Sequence, residues 1–344
     1  MAHIEHDRWV NAAQRVSAIE RSSKSLKPRL FPRKFHYAQR SAWASEVGYS
    51  TLPADQQPEP PFHGELRTRL RAESMLIGKF DVDAEVRLRA FYPSSGLSVR
   101  YQTGGKTNGV TRTVNAHKKV RRYAPELMPS IHEHGTILNG RGAFLLEDAV
   151  KGETATQADL EDLLVPLTKQ LHAVQQGVGI TDRRASEVLG KNSLSRWADF
   201  VELHQLDSSL DRKVRELLAR DALLEVSLTH GDLVNSNILV DNGDFVLVDW
   251  EWSMVKPIAF DLSKMIINVS NTPQVLQDVQ TGLGNVGTRK THYDFPEQVA
   301  LALVQALTFY KRQLQRARKA KRTGALERQT TKRVVTLEHL LETT

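Results

Sequence analysis

The stretch Leu228-Thr229-His230-Gly231-Asp232-Leu233-Val234-Asn235-Ser236-Asn237-Ile238-Leu239, followed by Phe245-Val246-Leu247-Val248-Asp249-Trp250-Glu251, constrains this chain more than any other. A largely apolar run from Leu223 to Leu228 enters a polar loop holding Asp232 and, five residues on, Asn237. Ile238-Leu239-Val240 then turns through Asp241-Asn242-Gly243-Asp244, and Phe245 to Val248 delivers a second acid, Asp249. Asn-Gly between two apolar runs is the strongest short-range hairpin signal. The spacing therefore predicts a hairpin that folds Asp249 back toward Asp232 and Asn237. Two acids and a carboxamide converging this way suit a magnesium–phosphate site, because Mg²⁺ is a hard cation that takes oxygen from few protein groups and leaves room for phosphates. Asp and Asn also favour turns in their own right, which accounts for any one of the three taken alone. The whole set, with Asp261 beyond it, points to the site.

His-Gly-Asp, four residues and Asn, then strand-turn-strand and an Asp, resembles the catalytic segment of the aminoglycoside phosphotransferase and choline kinase-like superfamily. That segment is related to the protein-kinase catalytic loop and metal-binding Asp. Pro257-Ile258-Ala259-Phe260-Asp261-Leu262 is similar to the family's tail, whose Asp braces the catalytic loop. The close likeness runs from Thr229 to Ile266, and a looser one reaches back to Met75. The resemblance implies an α+β, bilobal protein kinase-like fold, with a small antiparallel β-sheet lobe and a mostly helical large lobe. It also implies Mg²⁺-dependent transfer of the γ-phosphate of ATP or GTP to a hydroxyl of a small molecule, sugar or glycolipid. On this pattern Asp232 orients the acceptor and takes its proton, while Asn237 and Asp249 hold Mg²⁺. His230 supports the loop, and Asp261 accepts hydrogen bonds from it. Glu251 touches water on the metal or faces solvent.

Length allows one large or two medium domains in 344 residues. The expected division is an N-terminal extension over 1–74, partly helical with a Pro-rich linker, a small nucleotide-binding lobe over 75–150, and a helical large lobe over 151–344. There is no cysteine, which excludes a disulfide framework, a thiol nucleophile and a Cys-ligated metal. The start of the chain has no apolar signal region and no run approaches a membrane span, so a cytoplasmic protein is expected. The net charge of +7 and pI near 9.5 invite phosphorylated ligands or an anionic surface. Lys311 to Arg333 is densely basic, with Glu327 its one acid. It is read as a solvated face or as a peripheral attachment to an anionic membrane. Nucleic acid ranks last, because no aromatic stacking platform or base-reading helix accompanies the charge.

Along the chain, Trp9, Val10, Ala13, Val16 and Ile19 have helical spacing. Pro53 to Pro61 reads as an extended strap. Met75 to Ile77, Val86 to Tyr92 and Leu97 to Gln102 read as three antiparallel strands. By the resemblance, Arg100 on the third clamps the nucleotide's α/β-phosphates, where the family usually has Lys. The turn Gly78 to Ala84 has one glycine and two acids, unlike a phosphate-covering glycine loop. Gly104-Gly105-Lys106-Thr107 is not a P-loop, because the required leading glycine is Arg100. Asn108 to Tyr123 is helical in pattern and lacks the Glu that pairs with the strand cation in the family. Ser130 to Gly135 and Ala143 to Asp148 resemble the last small-lobe strands and hinge. There Phe144, Leu146 and Glu147 would contact the nucleotide base. His132 and His134 share a strand face without a third ligand and are read as polar strand residues.

From Thr156 the pattern is helical, with Leu160, Leu163, Leu164, Leu167 and Leu171 on one side, a kink expected at Pro166, and His172 in the core. Helices are expected over 194–206, 210–224, 262–269 and 295–314, with a loop through Gly282-Leu283-Gly284-Asn285. Two readings stand beside the phosphotransferase. One is a catalytically silent kinase-like scaffold, favoured by the absent glycine loop and helix Glu. The other is an envelope polysaccharide or lipopolysaccharide sugar kinase, suggested by the basic surface.

Overall fold

The computed structural model describes residues 14–24, 36–39, 74–77, 87–92, 95–103, 108–137, 139–140, 142–284, 286, 290–319 and 323–342. The strap at Pro53–Pro61, the turn at Gly78–Ala84 and the Gly104–Thr107 turn lie outside them, as do Trp9, Val10 and Ala13 of the first helix. The chain forms two compact units, one of residues 1–154 and 236–252, the other of 155–235 and 253–344.

The first unit is built on a six-stranded sheet. Its strands are β1 (His36–Gln39), β2 (Ser74–Ile77), β3 (Arg87–Tyr92), β4 (Leu97–Thr103), β5 (Ile131–Ile137) and β6 (Gly142–Asp148), in the order β1-β2-β3-β4-β6-β5. All neighbours are antiparallel except β1, which joins β2 in parallel as an additional edge strand. A helix over 14–22, α1, buries Val16 and Ile19 completely. It is tied to the sheet by polar bonds: Arg15 Nη1 donates to the Tyr101 hydroxyl at 2.7 Å, and the Tyr92 hydroxyl donates to Glu20 at 2.9 Å. The described part of the N-terminal region is thus a packed element of this unit. Helix α2 (Gly109–Val120) starts at Asn108, whose side chain accepts from the Thr111 amide, and buries Val110 and Val114 against Ala143 and Leu145 of β6.

The predicted hairpin is present. Strands β8 (Ile238–Asp241) and β9 (Asp244–Leu247) pair antiparallel from Ile238↔Leu247 to Asp241↔Asp244. Asn242 and Gly243 both take positive φ, 52° and 90°, as the tight turn demands. The two-residue strand β7 (Glu153–Thr154) pairs with the outer side of β8.

The second unit is mostly helical. Helix α3 (Gln157–Val178) opens on a capping box between Thr156 and Asp159 and lays Leu160, Leu164, Leu167 and Leu171 into the core. It continues through Pro166 without ending, although Pro removes a backbone donor there. His172 is buried as expected, and burial lowers its pKa. Helices α4 (Ser193–His204) and α5 (Ser208–Ala219) follow; α5 stops short of Leu224 because Asp221 enters a left-handed conformation and Leu223 starts a strand. That strand, Leu223–Thr229, is flanked by Thr181–Arg184 and Met254–Pro257 in a three-stranded antiparallel sheet. Helix α6 (Phe260–Met265) is short. Helix α7 (Thr272–Leu283) runs into the expected loop, taking Gly282 and Leu283 as its last turn, and ends on Gly284 at φ 67°. Helix α8 (Phe295–Thr308) is buried nearly all round, as its run of Val299-Ala300-Leu301-Ala302-Leu303-Val304 requires. The chain breaks at Phe309, whose ring lies under the Arg196 guanidinium at 4.6 Å, so the expected long helix is two. The basic stretch therefore spans α9 (Tyr310–Lys319) and α10 (Thr323–Glu342). Among the described residues no helix is long and apolar enough to cross a membrane.

Gly152 (φ 127°) joins β7 to the hairpin, and a Cβ there would stand 2.6 Å from the Val240 carbonyl oxygen, a backbone atom that cannot swing away. Gly152→Ala should lower unfolding free energy by about 1–3 kcal/mol in urea denaturation. A variant as stable as the parent would show that this crossing yields at little cost.

Candidate active site

The residues singled out from sequence divide between the units. Arg100, Phe144, Leu146, Glu147, Asn237 and Asp249 belong to the first; His230, Asp232 and Asp261 belong to the second.

In the first unit the hairpin sets the geometry. The Val248 amide donates to the Asn237 carbonyl at 2.9 Å, closing the open end of the ladder so that Asp249 follows directly beside Asn237. Asp249 takes φ 67°, a left-handed conformation that Asp tolerates better than most residues. Trp250 is buried next to it, its indole N–H donating to the Leu247 carbonyl at 3.1 Å. Asn237 and Asp249 carry a carboxamide and a carboxylate, hard donors of the kind magnesium takes. Among the described residues no three His, Asp or Glu side chains gather as an all-protein metal cage. A magnesium ion at this pair would complete its shell with phosphate and water, as is usual for that ion.

Arg100, on β4, donates from Nη2 to Asp249 Oδ1 at 2.9 Å, with only 12% of its side chain exposed. The strand cation thus has a carboxylate partner, although helix α2 carries no Glu. Glu251 is buried and closes the opposite side: its carboxylate packs on Gly109, where a Cβ would overlap it. Its backbone carbonyl accepts from Arg112 Nε at 2.5 Å. An acid beside the first turn of α2 is also favoured by the helix dipole. Glu251 does not face solvent; it joins the Asp249 loop to the start of α2. Phe144 and Leu146 are buried in the sheet on β6, with Phe144 packed on Gly135 of β5. Glu147 is buried as well and accepts from Arg89 at 2.7 Å. His132 pairs with Asp148 at 2.6 Å.

In the second unit the loop after Thr229 is gripped by one short helix. Asp261, 1% exposed, accepts the His230 amide at 2.7 Å through one oxygen and the Gly231 amide at 3.0 Å through the other. One turn later Lys264 donates from Nζ to the Gly231 carbonyl at 2.7 Å and to Asp232 Oδ1 at 3.0 Å. His230 is fully buried, and its Nδ1 accepts the Asp232 amide at 3.3 Å. The Asp232 side chain is 44% exposed, so the acid reaches solvent while the backbone on its N-terminal side is held from beneath. Sequence reading missed Lys264; its signal was the three-residue spacing from Asp261, which puts both on one face of a helix. Glu251's packing role had no signal in sequence, because it depends on a glycine 142 positions earlier in the chain.

Comparisons with known proteins bear on the family and the fold. Residues 114–295 match the model of the family described as the phosphotransferase enzyme family. A Ralstonia eutropha JMP134 protein assigned as an aminoglycoside phosphotransferase has a similar structure, with TM-score 0.51 and 12% identity over 78% of this chain and 93% of its own. An APH(2″) enzyme solved with GDP and kanamycin is similar at TM-score 0.50 and 13% identity, over 80% of this chain and 96% of its own. At such identities the likeness shows the fold, which is the bilobal α+β kinase-like one. No curated protein matches the sequence.

Asp261→Ala should cost about 3 kcal/mol, because two buried N–H donors lose their acceptor. Chemical denaturation measures this directly. A loss under about 1 kcal/mol would mean the loop keeps its shape without the brace.

Proposed function

The chain belongs to the phosphotransferase enzyme family, and on that footing we propose that it moves the γ-phosphate of ATP or GTP to a hydroxyl of a small molecule, sugar or glycolipid. The observation that supports this best is the presentation of Asp232. The two residues ahead of it are pinned through Asp261, its carboxylate is oriented by Lys264, and the side chain still reaches solvent. A carboxylate so placed orients an acceptor hydroxyl and receives its proton as transfer proceeds. A bond forms between the acceptor oxygen and the γ-phosphorus, and the bond to the β–γ bridging oxygen breaks. That oxygen leaves on the nucleoside diphosphate.

Asn237 and Asp249 would hold Mg²⁺, which would supply neutralisation of phosphate charge. Arg100 lies within reach of the same carboxylate and is assigned to the nucleotide phosphates. Its planar fork suits phosphate oxygens as well as it suits Asp249. Phe144 and Leu146 give the nucleotide base an apolar wall, and the backbone at Glu147 meets its polar edge. His230 and Asp261 support the loop and carry no chemistry.

One observation favours a second reading, a silent kinase-like scaffold: Arg100 is already paired with the carboxylate assigned to the metal. On the enzyme reading, Asp232→Ala abolishes transfer in a γ-phosphate consumption assay across hydroxyl compounds while leaving Mg-nucleotide affinity within about threefold, since it touches no nucleotide group. Asp249→Ala removes magnesium-dependent nucleotide binding, read by thermal shift. Wild-type turnover in Asp232→Ala would sink the assignment, and binding without turnover in the parent protein would leave the scaffold.

Peripheral attachment to an anionic membrane, on the cytoplasmic side, belongs to the same proposal and is the part that a lipopolysaccharide or capsule sugar kinase would need. It is supported by the exposed Lys311, Arg312, Arg316, Arg318 and Lys332 of α9 and α10. Salt-sensitive sedimentation with phosphatidylserine vesicles is the expected result. Equal sedimentation with neutral vesicles would count against it.

A further inference from the structure

Resting on the phosphotransferase reading, the surroundings of Asp232 bear on the charge of its acceptor. Phe260 opens helix α6, and two lysines approach its ring: Lys256 Nζ stands 3.8 Å from the centroid and Lys264 Nζ 5.1 Å. Lys264 is committed to Asp232 and the Gly231 carbonyl. Asp261, the acid whose charge acts on Lys256, is committed to two backbone amides. Lys256 is different. It lies on the strand Met254–Pro257 opposite Ser227, half-buried, and makes no ion pair or hydrogen bond with any described residue. Burial lowers its pKa, the neighbouring Lys264 lowers it further, and Asp261 works in the opposite sense.

A half-buried ammonium without an anion is expensive to keep. The aromatic face beneath it offsets part of that cost; an anion from outside would offset more. A cationic acceptor is disfavoured at the same place. Its ammonium groups would meet Lys256 and Lys264, while Asp261 is already bonded to two amides and one oxygen of Asp232 to Lys264.

We propose that the acceptor is a hydroxyl compound carrying its own anionic group, a phosphate or a carboxylate, which Lys256 binds above the Phe260 ring while the receiving hydroxyl lies at Asp232.

The test is isothermal titration of the full-length protein, saturated with magnesium and the non-transferable nucleotide AMP-PNP. The probes are glucose 6-phosphate, gluconate, glucose, choline and kanamycin. An anionic probe should bind about tenfold or more tighter than glucose, as a charge-assisted contact implies, and choline and kanamycin should not bind. Lys256→Gln should lose that advantage and leave glucose and nucleotide binding unchanged; Lys256→Arg should retain most of it. Glucose 6-phosphate against gluconate distinguishes phosphate from carboxylate. Preference for a cationic probe, no advantage for either anion, or an advantage that survives Lys256→Gln in a protein of unchanged melting temperature would each overturn the inference. The nucleotide titration stands apart. Protein that binds Mg-AMP-PNP and prefers kanamycin refutes only the anionic acceptor, whereas protein that binds no nucleotide refutes the phosphotransferase reading.

Discussion

The grip of helix α6 on the loop after Thr229 is the interaction on which the rest of the site depends. A loop that must show an aspartate to solvent cannot bury that aspartate to hold itself still. The chain solves this from below. Asp261 takes the two amides ahead of Asp232, and Lys264 takes the carbonyl and carboxylate on the other side. An acid on amides and a base on oxygens, one helical turn apart, fix the loop in both directions. Charged hydrogen bonds of this kind are roughly twice as strong as neutral ones, and Asp261 is almost wholly out of water.

The hairpin applies a different solution to the same need. Asn237 and Asp249 are separated by eleven residues, and what brings them side by side is backbone pairing alone, from Ile238↔Leu247 to the Val248–Asn237 bond. The ladder is short, so its register rests on the Asn242-Gly243 turn. A slip of one residue would turn every side chain of the strand to the opposite face. Glu251 then carries the position of the Asp249 loop to helix α2, using the space left by Gly109. Asp249 is therefore held by the hairpin on one side and by a helix start on the other.

Much of this was legible in the sequence, and what was not has a common physical cause. Asn242-Gly243 and the apolar runs around it are local signals, and the hairpin follows from them; the brace by Asp261 was implied by the family resemblance of the Pro257–Leu262 stretch. The strands β3, β4 and β6 showed because apolar residues alternate or run together there. Helix α7 was hidden: Gly282 and Gly284 at its end dominate the reading, although Val275, Leu276, Val279 and Leu283 keep the helical period. The break at Phe309 was hidden too, because nothing in residues 295–314 interrupts the apolar pattern; the turn coincides with a contact to Arg196 from another helix. Glu251 on Gly109 and Arg100 on Asp249 pair residues more than a hundred positions apart. No periodicity or spacing reports such contacts.

Arg100 shows how a departure from a family pattern need not be a loss. The family places a lysine on this strand and a glutamate on the following helix, so that the helix partly decides where the cation sits. Here α2 has no acid to offer, and the longer guanidinium reaches Asp249 instead. The helix keeps a link to the same loop by another route, through Arg112 to the Glu251 carbonyl and through the Glu251 carboxylate on Gly109. Cation, acid and helix remain connected, but the order of connection has changed from cation–helix to cation–acid–helix. With the guanidinium largely buried and its carboxylate only part exposed, a movement of either group away from the other leaves a charge that must find a new partner. Any separation of the pair therefore calls for an anion at the arginine and a cation at the aspartate.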